Sequence, residues 1–367
     1  MINFTKRLAL LLTLAIVASA TTQATAQNKM TPEDHDRVVS KIIKIGQTDN
    51  RTMHHLDVLT NRIGGRLLGS DAYENATYWA ADLYKKWGLE VVVQEVGQLP
   101  VGFNRGPWFG RMLSDNGMIL HFATPSYTSG TKGVQRGHVV KEPKTKAQFD
   151  RMKGKLKGAW VLITGENEGW PIDYSEYADT LRSQIIQENN KIQRYNDSIM
   201  RINRANPDKP QLEPKPYKDA PALFYKEMRE AGILGIIQSS QVPIRALYDR
   251  KNVEYMSWDE LPTCPDIKLD EHQYKIIEQM VNERRYFQLE FDIRNHFKPG
   301  PVKYHNVLGI IRGTEFPDEY VMSGGHLDAF DVATGGVDCG TGVAPNLEAA
   351  RMIREAGGKP RSSIVFC

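Results

Sequence analysis

An α/β fold is predicted by two features of the sequence: a helix that feeds straight into a β-branched strand around Gly88, and the return of the same texture after Asn306. Between them, residues 105–299 carry short apolar runs separated by Gly-, Pro- and Lys-rich turns. A β-rich insertion is therefore expected to interrupt the α/β domain. At 367 residues the chain has room for two domains. Its 41% hydrophobic and 25% charged residues exclude a fibre, a disordered tail and a polytopic membrane protein.

The elements follow in order. Lys6 and Arg7 precede an apolar run from Leu8 to Ala18, and Ala24-Thr25-Ala26 fits a small-x-small cleavage site. Residues 1–26 are expected to be a signal peptide, with Gln27 as the mature N-terminus and a secreted or periplasmic location. The run is shorter than the roughly 20 residues that span a bilayer, so no membrane span is expected after cleavage. Loss of Lys6 and Arg7, with no Asp or Glu in that stretch, takes the net charge from +3 to +1. A near-neutral chain has no electrostatic footprint for nucleic acid. The cysteines, Cys264, Cys339 and Cys367, are too few and odd in number for a disulfide framework.

Residues 27–104 form the first part of the α/β domain. Residues 31–63 read as helical, with Val38, Ile42 and Ile45 and then Leu56, Leu59 and Ile63 as apolar positions. The turn Gly64–Ser70 (GGRLLGS) ends this stretch, and Ser70 or Asp71 can cap the next helix. In that helix Ala76, Trp79, Ala80, Leu83, Tyr84 and Trp87 line one face, Gly88 stops it, and Leu89–Val96 is a strand. Within the insertion, Ala159–Thr164 reads as a strand and 175–204 as a long polar helix. Ile185, Ile192 and Ile199 recur there every seven residues, with Leu181, Tyr195 and Ile202 on a second line. So narrow a stripe suits packing on one partner. The helix is expected to be an arm that contacts a second subunit in a homodimer or covers the cleft. Four prolines from Pro210 to Pro221 predict an extended linker after it. Residues 300–367 resume the α/β pattern, with strands at 307–311 and 320–323 and a helix over 344–356. The chain stops inside a further apolar strand, Ser363–Cys367, and is expected to be the N-terminal part of a longer protein.

The chemistry concentrates in Tyr320–Gly342. A hydrophobic strand ends at Gly324-Gly325 and is followed by His326-Leu327-Asp328. Ligands of α/β sheets bind at the carboxyl ends of strands, and residues i and i+2 of an extended segment face one side. An imidazole backed by a carboxylate is a metal-site arrangement; it is also an ordinary structural hydrogen bond. Asp338, among Gly335, Gly336, Gly340 and Gly342, adds a carboxylate on a tightly bending backbone and strengthens the metal reading. His54-His55 are adjacent on a helix and point to different sides, which argues against a site there. Asp331 reads as a solvated loop residue.

The segment GGHLDAFDVATGGVDCGTG, with Leu347-Glu348-Ala349-Ala350 after it, resembles the metal-binding segment of M28 metallopeptidases, on the carboxypeptidase Q-like branch. The resemblance implies a zinc-exopeptidase-type mixed sheet flanked by helices, incomplete here, and a protease-associated-like insert at 105–299. It implies two zinc ions, with His326 binding one, Asp338 bridging both, and Asp328 serving catalysis by orienting His326. It implies hydrolysis of a terminal peptide bond of a short peptide. Cys339 stands where the family often has a second Asp, following the bridging carboxylate, commonly across a cis peptide. The family's Glu-Glu pair and later ligands would lie after residue 367, and Glu348, on the helix beyond the loop, is no substitute. Residues 1–367 alone are then expected to bind zinc weakly and hydrolyse little. The alternative is a non-catalytic binding or receptor-like protein on the same fold.

Overall fold

The computed structural model describes residues 30–114, 117–166, 175–218, 222–241 and 253–367. The signal-peptide segment lies outside the described residues. Helix α1 (Pro32–Thr48) begins with a capping box between Thr31 and Asp34 and with a proline in its first turn. It ends at Asp49, and Asn50 Oδ1 accepts from Thr52 N at 2.9 Å to start α2 (Thr52–Asp57). The two helical stretches read within 31–63 are thus separated at this turn. α2 runs on through a π-helical turn, Val58–Ile63. Ser70 Oγ accepts from Tyr73 N and caps α3 (Asp71–Lys86), whose Ala76, Ala80 and Tyr84 are buried. Gly88, at φ 74°, turns the chain into β1 (Glu90–Asn104).

The next elements, β2 (Trp108–Met112), β3 (Phe122–Ala123), β4 (Gln135–Lys141), α4 (Lys146–Leu156), β5 (Ala159–Glu166), α5 (Asp179–Ala205), α6 (Tyr225–Glu230), β6 (Gly235–Ser240), β7 (Asp266–Asp270), α7 (Glu271–Asn282) and β8 (Gln288–Ile293), build a seven-stranded sheet in the order β2-β8-β4-β5-β6-β7-β3. β4 to β7 run parallel. The central strands β5 and β6 are buried along most of their length because both faces are covered. Trp160, Leu162 and Ile237 meet Tyr274, Ile277 and Met280 of α7 in one core. Val161, Ile163 and Ile236 meet Phe149 and Leu156 of α4 and Met228 of α6 in another.

The chain then returns through β9 (His296–Ile311), β10 (Phe316–Ser323), α8 (Thr341–Glu355) and β11 (Ser362–Phe366). With β1 these strands form a mixed four-stranded sheet, β1-β9-β11-β10. β11 is not an edge: it pairs antiparallel with β9 and parallel with β10. β10 is one edge, opposite β1, and every residue of β10 is exposed. Leu59, Ala80, Tyr84, Val307, Leu347 and Phe366 close the core of this sheet against α3 and α8. The α/β class read from the sequence is the class observed.

Candidate metal centre

β10 ends at Ser323, and Gly325 N donates to the Cys367 carbonyl at 3.0 Å, so the chain leaves the sheet at the carboxyl end of two parallel strands. His326 follows at once. Its Nδ1 lies 3.1 Å from Asp328 Oδ1 and its Nε2 lies 2.9 Å from Asp338 Oδ1. The three side chains singled out by sequence are thus together, each about half exposed. Asp338 stands in a π-helical turn, Gly336–Gly340, that runs into α8, and the Asp338–Cys339 peptide is cis. Among the described residues no group of three or more His, Cys, Asp and Glu side chains is arranged to hold a metal. The three cysteines are free.

Beside His326 and Asp328 opens a cavity of about 350 Å³, whose walls include Tyr73, Tyr84, Asn306, Val343 and Asn346. Tyr73 Oη donates to the His305 carbonyl at 2.7 Å. Burial pushes its phenol above the usual value, and the Asp328 charge adds to that.

Arg66, which sequence reasoning passed over, holds the loop that carries these groups. It is fully buried. Its guanidinium donates to the carbonyls of Leu327, Leu59, Gly64, Thr334 and Gly335, at 2.7 to 3.2 Å. Ala329 N donates back to the Arg66 carbonyl at 2.9 Å. The flanking glycines are dictated by this approach. A Cβ at Gly65 would stand 2.6 Å from Asp331 Cα, and one at Gly335, where φ is 66°, would stand 2.6 Å from Arg66 Nη2. Burial lowers the pKa of Arg66, and the nearby Asp328 and Asp338 charges counter that. The clue in the sequence was a long cationic side chain set between a Gly-Gly pair and a glycine turn.

One further reading changes. Asp331 is not solvated: its side chain is 7% exposed and ion-paired to Arg105 at 3.0 Å. Glu348 is buried, and it takes Arg351 Nη2 at 2.6 Å, Arg51 N at 2.9 Å and His55 Nε2 at 3.2 Å. Burial would raise the Glu348 pKa, but the Arg351 and Arg51 hydrogen bonds outweigh it and hold the carboxyl below its usual range. Burial pushes His55 down, with the Glu348 bond opposing. This network ties α2 to α8 and does not face the His326 group; of the adjacent pair, His55 is the one turned inward.

The sequence model of Peptidase family M28 matches residues 306–367, the stretch that contains His326, Asp328 and Asp338. Mouse Carboxypeptidase Q is 21% identical over 332 residues, covering 90% of this chain and 61% of its own length. A maize protein named probable glutamate carboxypeptidase VP8 is 43% identical over 68 residues, 18% of this chain and 9% of its own. Among solved structures, a peptidase M28 precursor from Shewanella amazonensis aligns with a TM-score of 0.47 and 18% identity, over 91% of this chain and 67% of the other. The chain spans about three fifths of the length of the Carboxypeptidase Q relatives it matches. The M28 match is thus confined to the stretch around the His326 group, while the likeness to Carboxypeptidase Q extends over nine tenths of this chain.

Proposed function

We propose that this chain contributes the metal-binding and substrate-facing part of a zinc-dependent exopeptidase that cuts a terminal bond of short peptides. The observation that carries the reading is the His326 contact pair: Asp328 on Nδ1 and Asp338 facing Nε2, at the carboxyl end of β10. With Nδ1 engaged by Asp328, Nε2 is the nitrogen that would coordinate, on the side where Asp338 presents its carboxylate. Imidazole and carboxylate are donor types zinc accepts. Two zinc ions held there would supply a water of lowered pKa and a Lewis acid for the peptide carbonyl. His326 and Asp338 would hold the metals, and Asp328 would fix the tautomer and direction of the ring. The cavity beside His326 would receive the terminal residue of the peptide. Two donors are fewer than the four a zinc site uses. The remaining ligands and the general base are drawn, in this reading, from the part of the relatives' length that residues 1–367 do not span.

The full-length protein tests this with a dipeptide panel and zinc titration. Hydrolysis is expected to need zinc, and His326→Ala and Asp338→Ala are expected to lower kcat/KM about 100-fold or more, as loss of a ligand does. Zinc uptake without hydrolysis would favour the non-catalytic reading. No zinc uptake would end the metal reading.

A further inference from the structure

The loop after Asp328 is gripped from two sides. Arg66 holds its carbonyls from beneath. From the other side comes Arg105, in the segment leaving β1, which pairs with Asp331 at 3.0 Å, the two side chains being 6% and 7% exposed. Ser126 Oγ donates to the same Asp331 Oδ1 at 2.7 Å. Arg105 Nη1 also donates to Thr124 Oγ1 at 2.6 Å, where Asn295 Nδ2 donates at 2.9 Å. Thr124 and Ser126 directly follow β3, an edge strand of the seven-stranded sheet, and Asn295 lies between β8 and β9; Asp331 belongs to the loop between two of the site residues.

Such a pair is a poor way to gain stability. Desolvating two charges costs about what their attraction returns unless every remaining donor and acceptor is satisfied. Here Arg105 Nε, Asp331 Oδ2 and Asn295 Oδ1 are buried without a hydrogen-bond partner among the described residues. A hydrophobic contact would hold two surfaces together more cheaply. What the contact adds is register, because Arg105 Nη2 and Ser126 Oγ both converge on the one oxygen, Asp331 Oδ1, and so fix where the carboxylate sits. The register fixed here is that of residues 327–335 against a second sheet. Asp331 comes three residues after Asp328, and its backbone is already in contact with Gly65.

We infer that Asp331 is a positioning residue: clasped by Arg105 and Ser126, it sets the loop between Asp328 and Asp338 against the seven-stranded sheet. That sheet is thereby part of the metal site's support. This deepens the zinc reading of His326 and Asp338 and rests on it.

The test uses the full-length protein with Asp331→Asn, and separately Ser126→Ala. Hydrogen–deuterium exchange over residues 327–338 and zinc titration against a chromogenic chelator are read for each. Asp331→Asn is expected to speed exchange of the loop amides and to weaken zinc about tenfold, the usual cost of losing an outer support of a ligand. Ser126→Ala should move both in the same direction by a smaller factor. It removes one hydroxyl, so it gives the answer if Asp331→Asn does not fold. Unchanged exchange and unchanged zinc affinity in folded variants would overturn the inference. If the parent takes up no zinc, the zinc reading fails by itself, and the exchange data still decide whether Asp331 holds the loop.

Discussion

A guanidinium buried without a carboxylate must be held by something else, and at Arg66 five carbonyls do it. Each leaves an orphaned acceptor if the donor goes, at about 1–3 kcal/mol for a group that water cannot reach. Arg66→Met is therefore expected to destabilise the folded state by about 3–5 kcal/mol, the range for removing one partner from a buried polar network. Arg66→Lys should recover only part, since an ammonium cannot span the same fork of acceptors. Urea unfolding of both variants checks this, and a loss under about 1 kcal/mol for Arg66→Met would show that the carbonyls find other donors. His326, Asp328 and Asp338 were legible as candidates because an i, i+2 pair at a strand end and a carboxylate among glycines are local signals, while their metal roles rested on the resemblance to M28 metallopeptidases. Arg66, Asp331 and Glu348 were not legible. Their partners lie 261, 226 and 297 residues away in sequence, and nothing in a neighbouring window distinguishes a buried charge from a solvated one.

At the scale of elements, the heptad stripe on α5 has a use that periodicity alone did not reveal. Asn189, Asn196 and Asn203 also recur every seven residues. Each amide brackets one backbone unit of the proline-rich segment that returns along the helix. Asn189 takes Lys218 N and donates to its carbonyl at 2.8 Å each. Asn196 does the same with Lys215 at 2.8 and 2.9 Å, and Asn203 with Leu212 at 2.9 and 3.0 Å. Seven helical residues rise about 10.5 Å, and three residues of a polyproline-type strand rise about 9.3 Å. Two rulers of similar spacing can therefore pair rung by rung. Pro210, Pro214 and Pro216, read from sequence as part of an extended linker, lie in a strap that returns along the helix, and Pro221 lies outside the described residues. Ile199 is buried, while Leu181, Tyr195 and Ile202 stay exposed. Asn196→Ala removes the middle rung, two hydrogen bonds worth about 1–3 kcal/mol together. Chymotrypsin should then cut after Leu212 or Tyr217 sooner than in the parent, with the rest of the chain intact. Equal cleavage rates would mean that the strap is held by its apolar contacts instead.

For the whole molecule, the long ribbon of β1 and β9 decides how the parts communicate. The two strands pair from Glu90 with Ile310 to Asn104 with His296, so the chain leaves the four-stranded sheet and returns to it at adjacent points. All strands of the seven-stranded sheet lie between Trp108 and Ile293, and it owns a core on each face. Among its ties to the ribbon, Val253 and Met256 pack against the cluster of Leu67, Leu99, Phe103 and Tyr127. Tyr127 stacks on Phe103 at 5.3 Å, its hydroxyl donates to the Leu68 carbonyl at 2.8 Å, and Arg105 reaches Asp331. Residues 105–295 expressed alone should therefore fold, giving one cooperative urea transition with the β signal retained. The midpoint should fall below that of the same sheet in the full chain. Tyr127, 1% exposed in place, would be uncovered, and an aromatic pair is worth about 0.5–1.5 kcal/mol beyond its buried area. A fragment that stays unfolded would show that the ribbon and the 64–70 turn supply core to the second sheet as well as a tether. The coupling through Asp331 would then be a matter of shared stability more than of register.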